Sequence, residues 1–294
     1  MPRACIIYEG KHGFTETAVK KMAPILGSAR YFPLAEYKNE LRDKYDFFVI
    51  GGPVDNEKID QSILDFVSVN ASWLSGKRVA LFATCPSEVN GREQLEPLMK
   101  ILGNSVVSAE VVHGDADHLD LPELVEYALR VKALFDKGYV PMPAEQLKSY
   151  IEGFLKSYRY CTLCTGFGTR VRGTVISYTY RDGYIYASCE GSGKFANLLL
   201  NNNVCISVFG PYPGYGQEGP AENQVGLQLF GTATILDPTS DEFKKMMEAQ
   251  GGDYNMIASL PFLLHRLSIK LDKAVIFWEQ LAKMGYGNKQ TYIF

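Results

Sequence analysis

The sequence predicts two domains: an α/β domain on a doubly wound parallel sheet, then a mainly antiparallel β-barrel domain with helices. Three observations carry this. At 294 residues the chain is longer than one ordinary domain needs. Over residues 1–138 short apolar runs alternate with apolar stripes of helical spacing. Beyond a Pro-containing stretch the apolar period changes to two, and the runs shorten and are punctuated by Gly-rich turns.

In the first domain, residues 5–8 form an apolar run that leads into a Gly-containing loop. Val19, Met22, Ala23 and Leu26 then mark one face of a helix. Residues 31–34 are weakly apolar, and Pro33 suits an edge strand. Residues 47–50 read as a buried strand closed by Gly51-Gly52-Pro53, followed by a helical stripe of Ile59, Ile63, Phe66 and Val67. Residues 79–83 and 106–112 supply two more strands. Between them Leu95, Leu98, Met99 and Leu102 mark a helix, and Leu124, Val125, Ala128, Val131 and Phe135 mark the last one. Alternation of this kind requires a parallel sheet covered on both faces, with ligands taken at the carboxyl ends of its strands. The loops there are residues 9–15, 51–58 and 84–91.

Residues 139–148 read as a linker, with Pro141 and Pro143 breaking any apolar period, and residues 149–294 as the second domain. Leu147, Ile151, Phe154 and Leu155 give one amphipathic helix across this boundary. Strands follow at 160–165 and 171–180, and the second turns at Arg181-Asp182-Gly183, since Asp-Gly accepts positive φ. Residues 184–189 return, 194–200 form a short helix, and 204–209 another strand. A Gly/Pro loop over 210–224, with Tyr212 and Tyr215, suits a lid or a contact loop. A strand at 226–236, helices near 240–249 and 256–266, and strands near 274–277 and 291–294 complete the chain.

Thirty basic residues face thirty-three acidic ones, a net of −3, so no field favours nucleic acid. No apolar run approaches the ~20 residues that span a bilayer, and no secretory leader is visible at the start, so a cytoplasmic chain is expected. The six cysteines sit mostly in apolar strand-like runs, as reduced core thiols do. Cys161 and Cys164 have CxxC spacing, but on a strand their thiols point to opposite faces, which suits neither a redox pair nor a metal. Cys85 lies in the third ligand loop, where burial competes with a redox role. His113 and His118 flank Asp115 and Asp117, a polar loop read as solvated rather than metal-binding. No metal site is expected.

The first loop, Tyr8-Glu9-Gly10-Lys11-His12-Gly13-Phe14-Thr15, holds the parts of a phosphate cradle: turning glycines, a cation, a hydroxyl and a helix start. It resembles the phosphate loop of flavodoxins. Gly51-Gly52-Pro53-Val54, Lys58-Ile59, residues 76–82 and Thr84-Cys85 resemble the flavodoxin-domain branch that includes menaquinone-dependent protoporphyrinogen oxidase. The resemblance covers residues 3 to about 136. It implies a second FMN on Gly10, Lys11, His12, Gly13, Phe14 and Thr15. Asp55 stands near the place where such domains usually carry a stacking aromatic, so a flavin-free docking or dimerisation unit stays open.

The second half is similar to the pyridoxamine 5'-phosphate oxidase-like FMN-binding split barrel. The matching residues are Arg172-Gly173-Thr174-Val175-Ile176, Asp182-Gly183-Tyr184-Ile185-Tyr186, residues 188–194 ending in Lys194, Asn197-Leu198, Asn202-Asn203-Val204 and Phe230-Gly231-Thr232-Ala233. The resemblance implies that Arg172 and Lys194 grip the FMN phosphate. It counts Gly173 among the flavin-binding residues, places Thr174 and Val175 along the isoalloxazine edge, and sets Ala187 and Ser188 near the ribityl-phosphate region. It also implies a homodimer with the flavin between two barrels. Gln228 precedes the late Gly-Thr strand where the family carries polar flavin contacts, and no residue matches a catalytic base. The expected function is an FMN-dependent oxidoreductase. It would take a hydride or electrons from NAD(P)H or a protein donor and reduce a small acceptor. The alternative is a non-catalytic flavin- or haem-binding protein. Pyridoxamine phosphate oxidation is not favoured, because no further basic cluster offers itself to a substrate phosphate.

Overall fold

The computed structural model describes every residue except 1, 11–12, 57, 86–91, 115–118, 190, 211–224, 250–251 and 262–263. The chain divides into two units, Met1–Gly138 and Tyr139–Phe294. Among the described residues no helix is long and apolar enough to cross a membrane.

The first unit runs β1 (Ala4–Tyr8), α1 (Phe14–Leu26), β2 (Ala29–Pro33), β3 (Phe47–Asp55), β4 (Lys58–Ile59), α2 (Gln61–Leu74), β5 (Arg78–Cys85), α3 (Glu96–Leu102), β6 (Val106–His113) and α4 (Leu121–Asp136). The sheet order is β2-β1-β3-β5-β6, all parallel, with β4 folding back antiparallel on β3. Pro33 lies on the edge strand, as its missing N–H requires. Alternate residues of each strand feed two cores. Ile6, Tyr8, Phe47, Val49 and Phe82 face α1 and α4, whereas Ile7, Phe48, Ile50, Leu81 and Ala83 face α2 and α3. The period of two thus yields two apolar faces, which is why these strands read as unbroken apolar runs. Ile59 belongs to β4 rather than to the following helix. Asp60 caps that helix by accepting from Ser62 N at 2.8 Å, so the helix starts at Gln61, two residues later than the stripe suggests.

The second unit runs α5 (Ala144–Ser157), β7 (Tyr160–Phe167), β8 (Arg170–Ser177), β9 (Thr179–Arg181), β10 (Tyr184–Cys189), α6 (Gly193–Leu198), β11 (Asn203–Phe209), β12 (Val225–Leu236), α7 (Asp241–Ala249), α8 (Tyr254–Ala258), β13 (His265–Trp278), α9 (Glu279–Lys283) and β14 (Lys289–Ile293). The antiparallel order is β8-β7-β11-β12-β13-β10-β9, with β14 added on β13. β8 and β9 are one run bent at the buried Tyr178. β8 pairs with β7 at one end of the order and β9 with β10 at the other, so the sheet curls into a barrel that splits between β8 and β10. Leu163, Ile185, Ile206, Leu229, Ile269 and Ile276 fill it.

The Asp182-Gly183 hairpin takes positive φ at both residues, 49° and 82°. Tyr180 locks it, its hydroxyl accepting from Gly183 N at 3.2 Å and donating to Glu152 of α5 at 3.1 Å. Two stretches differ from the sequence reading. The helix expected over 256–266 ends at Ala258, and His265 begins a fourteen-residue strand. Leu267, Ile269 and Leu271 alternate there and pair with β10 and β12, and the two ladders outweigh a local helical spacing. The stretch read as a linker over 139–148 includes the first turn of α5. Met142 and Leu147 are buried in the barrel core, and Gln290 accepts from Met142 N and donates to Val140 O at 3.0 Å each. The loop over 211–224, with Tyr212 and Tyr215, lies outside the described residues.

Candidate functional site

Strand β8 and the start of α6 build the site. Arg172 pairs with Thr165 across the β7–β8 ladder and Thr174 with Leu163, so both side chains share the face of buried residues. Arg172 Nε donates to Thr174 Oγ1 at 3.3 Å. Its guanidinium lies against Gly193, where an added Cβ would sit 3.3 Å from Nη1. The missing side chain at Gly193 is therefore what admits the Arg fork to the loop before α6.

Lys194 follows directly and is only 4% exposed. Its ammonium donates to Ser192 Oγ at 2.9 Å and lies 5.0 Å from the Phe195 ring centre. Two cations on separate elements thus meet at Ser192-Gly193. Beneath them Asn197 Nδ2 donates to Thr165 Oγ1 at 3.2 Å and Asn201 Nδ2 to Gly166 O at 2.9 Å, tying α6 and its exit to β7. Burial raises the Cys189 thiol above its ordinary range, and the nearby Lys194 ammonium opposes that rise. A fork and a point charge beside a hydroxyl are the donor set that phosphate oxygens take, so these residues fit an FMN phosphate.

The other expected barrel residues divide by strand period. Gly173 and Val175 lie on the opposite face of β8 from Arg172, and Val175 is 72% exposed. Among the described residues β8 ladders only with β7, so its second edge presents main-chain N–H and C=O groups along the split. Ala187 faces the core, whereas Ser188 lines a cleft of about 520 Å³ with Arg159, Ser177, Tyr178 and Tyr186. Sequence reasoning missed Thr165 and Asn201 as anchors of this site. It also missed His265, whose ring stacks obliquely on Phe195 with centroids 5.0 Å apart. No local spacing signals such contacts, because they join distant elements.

The first loop is arranged differently. Gly13 adopts φ 68° and its carbonyl accepts from Thr17 N and Oγ1, which turns the chain into α1. Phe14 and Thr15 are buried, and the Thr15 hydroxyl is bonded to that of Thr84 at 2.6 Å rather than facing the loop. Glu9 turns its carboxylate into the loop, where it accepts from Gly10 N at 3.0 Å and from Ser62 Oγ at 3.2 Å. An anion of the chain's own thus takes the Gly10 donor. Lys11 and His12 lie outside the described residues, as do residues 86–91 of the third loop.

Asp55 is exposed at the end of β3. Cys85 is buried, next to His113 in the β5–β6 register. His113 meets Glu123, with Nδ1 2.9 Å from Oε1 and its backbone N donating to Oε2 at 2.7 Å. Asp115, Asp117 and His118 lie outside the described residues. The CxxC thiols do point to opposite faces: Cys161 is buried in the core and Cys164 is half-buried on the outside.

Residues 5–124 match the flavodoxin domain family. Comparison with curated proteins returns no match. Among solved structures the chain is similar to Megasphaera elsdenii flavodoxin, at 18% identity over 44% of this chain and 98% of that one, with a TM-score of 0.38. It is similar to a FAD-binding protein of Mesorhizobium loti, at 13% identity over 44% and 90%, with a TM-score of 0.35. It is also similar to HutZ, the haem storage protein of Vibrio cholerae, at 14% identity over 45% and 94%, with a TM-score of 0.35. The chain thus joins a flavodoxin-like α/β unit, of which residues 5–124 match the flavodoxin domain family, to an antiparallel split barrel.

Proposed function

We propose that the barrel binds one FMN per chain and that the protein is an FMN-dependent oxidoreductase. It would pass electrons or a hydride from NAD(P)H or a protein donor to a small acceptor. The observation that carries this reading is the meeting of Arg172 and Lys194 at Ser192-Gly193. Bound FMN would supply the redox chemistry. The chain's own part is to hold and orient it: Arg172 and Lys194 on the phosphate, and the free edge of β8 beside the ring system. Because the edge groups are main-chain, they fix a planar ligand without a side chain that can swing away.

The test is the colour and stoichiometry of freshly purified protein. The expected result is flavin absorption at a ratio near one FMN per chain, bleached by NADH or NADPH without oxygen. A ratio near two places a second flavin on the first unit and contradicts the proposed stoichiometry. Flavin that no nicotinamide nucleotide reduces leaves a protein donor or the non-catalytic binder, and a colourless chain that ignores added FMN ends the proposal.

The proposal includes a homodimer and a cytoplasmic setting. The six free cysteines support the latter. Support for the dimer comes from Val171 (84% exposed) and Val175 on the edge strand and from Leu199 and Leu200 just after α6, apolar side chains left in water. Sedimentation is expected to give twice the chain mass, and Val171→Glu with Val175→Glu to halve it. Wild-type protein at one chain mass removes the dimer from the account.

A further inference from the structure

We propose that Cys164 and Cys205 form a redox modification site, a cross-strand thiol pair that small-molecule disulfides of the glutathione class convert to an intrachain disulfide. The inference rests on the barrel ladder alone and is independent of flavin binding.

Cys164 of β7 and Cys205 of β11 are direct register partners in an antiparallel pair. Such partners have Cα atoms about 4.5 or 5.5 Å apart according to the hydrogen-bonding phase. Both spacings fall inside the roughly 4.4–6.8 Å range that a disulfide spans. The two side chains emerge on the same, outer face, because their neighbours Leu163 and Ile206 point into the core.

Exposure separates this pair from the rest. Cys5, Cys85, Cys161 and Cys189 are buried, whereas Cys164 and Cys205 are half-buried. Nor can Cys161 serve Cys164, since it lies across the sheet in the core. The same row continues through Gly173 on the Cys164 side and through Phe230 and Lys273 on the Cys205 side. Gly173 presents no side chain over Cys164. The Lys273 ammonium, 4.4 Å from the Phe230 ring centre, favours the Cys205 thiolate against the burial that disfavours it.

The chemistry balances as thiol–disulfide exchange. One thiolate attacks oxidised glutathione, breaking its S–S bond and releasing one glutathione thiol after protonation. The second cysteine then displaces the other glutathione from the mixed disulfide. The chain loses two hydrogens as two protons and two electrons, and the oxidised glutathione takes them up as two thiols. The new bond staples β7 to β11, whose ladder has three register pairs and supports the strand that carries Arg172.

The test treats the native full chain with oxidised glutathione and measures intact mass and digest peptides. The expected product is a chain lighter by two hydrogens, with the Cys164 and Cys205 peptides linked and separated again by dithiothreitol. Cys164→Ser and Cys205→Ser are each expected to abolish that link and to halt at a single glutathione adduct on the remaining partner. Six thiols still free in folded wild-type protein overturn the proposal. So does a link between any other pair, or stable adducts on both cysteines without closure.

Discussion

Replacing Arg172 and Lys194 together by alanine is expected to give protein that purifies without flavin and binds added FMN about a hundredfold to ten-thousandfold more weakly. Each side chain contributes charge-assisted hydrogen bonds, worth about 1.5–3 kcal/mol apiece, and every 1.4 kcal/mol is about tenfold in affinity. The two cations come from different elements, so neither loss is repaired by the other's backbone. Arg172 is exposed, and removing it leaves no void. Lys194 is buried, so Lys194→Met, which keeps the stem and removes the charge, separates lost binding from lost packing. Arg172→Lys is expected to bind about tenfold more weakly than wild type, since it keeps the charge but not the fork. Titration of FMN fluorescence against each variant checks this. Undiminished affinity in the folded double variant would falsify the site.

Gly231→Ala is expected to destabilise the second unit by about 3 kcal/mol or more, the upper part of the range for steric insertion into a packed interior. Its Cβ would lie 2.1 Å from Lys270 O and 3.0 Å from Lys270 C, both main-chain atoms of the neighbouring strand. A side chain could swing aside, but this carbonyl belongs to the β12–β13 ladder. The register shifts by a bulge between Phe230 and Gly231, and the bulge brings the two backbones this close. Gly226→Ala, on the same strand with nothing within 4 Å of its added carbon, serves as the control and is expected to change stability by less than about 0.5 kcal/mol. Thermal unfolding followed by near-ultraviolet circular dichroism distinguishes them. Equal melting of Gly231→Ala and wild type would show that the strands part without cost.

Gly231 also shows where reading a sequence stops. Phe230-Gly231-Thr232-Ala233 is visible as a motif, but that its glycine faces the carbonyl of Lys270 depends on a partner strand that begins at His265. Residues 256–266 carry enough apolar spacing for a helix, and only the ladders on both sides make the second part a strand. Glu9 is a parallel case. Its place in a Gly-rich loop suggests a cradle for phosphate, yet the Gly10 N–H and the Ser62 hydroxyl, one local and one from α2, draw its carboxylate into that cradle. Thr15 turned inward for the same kind of reason, since Thr84 of β5 offered its hydroxyl a buried partner.

By itself the sequence determined the alternating β/α order of the first unit, the switch to a period of two, the Asp182-Gly183 hairpin, and Arg172 and Lys194 as a candidate pair. These are properties of local apolar spacing and turn chemistry, which survive without knowledge of neighbours. Only the tertiary structure decided that Gly193 admits the Arg172 guanidinium, that the Ser62 hydroxyl holds the Glu9 carboxylate and that Cys164 faces Cys205. Each of those depends on register and close approach between segments far apart in the chain, and backbone geometry settles such distances only once the sheets have closed.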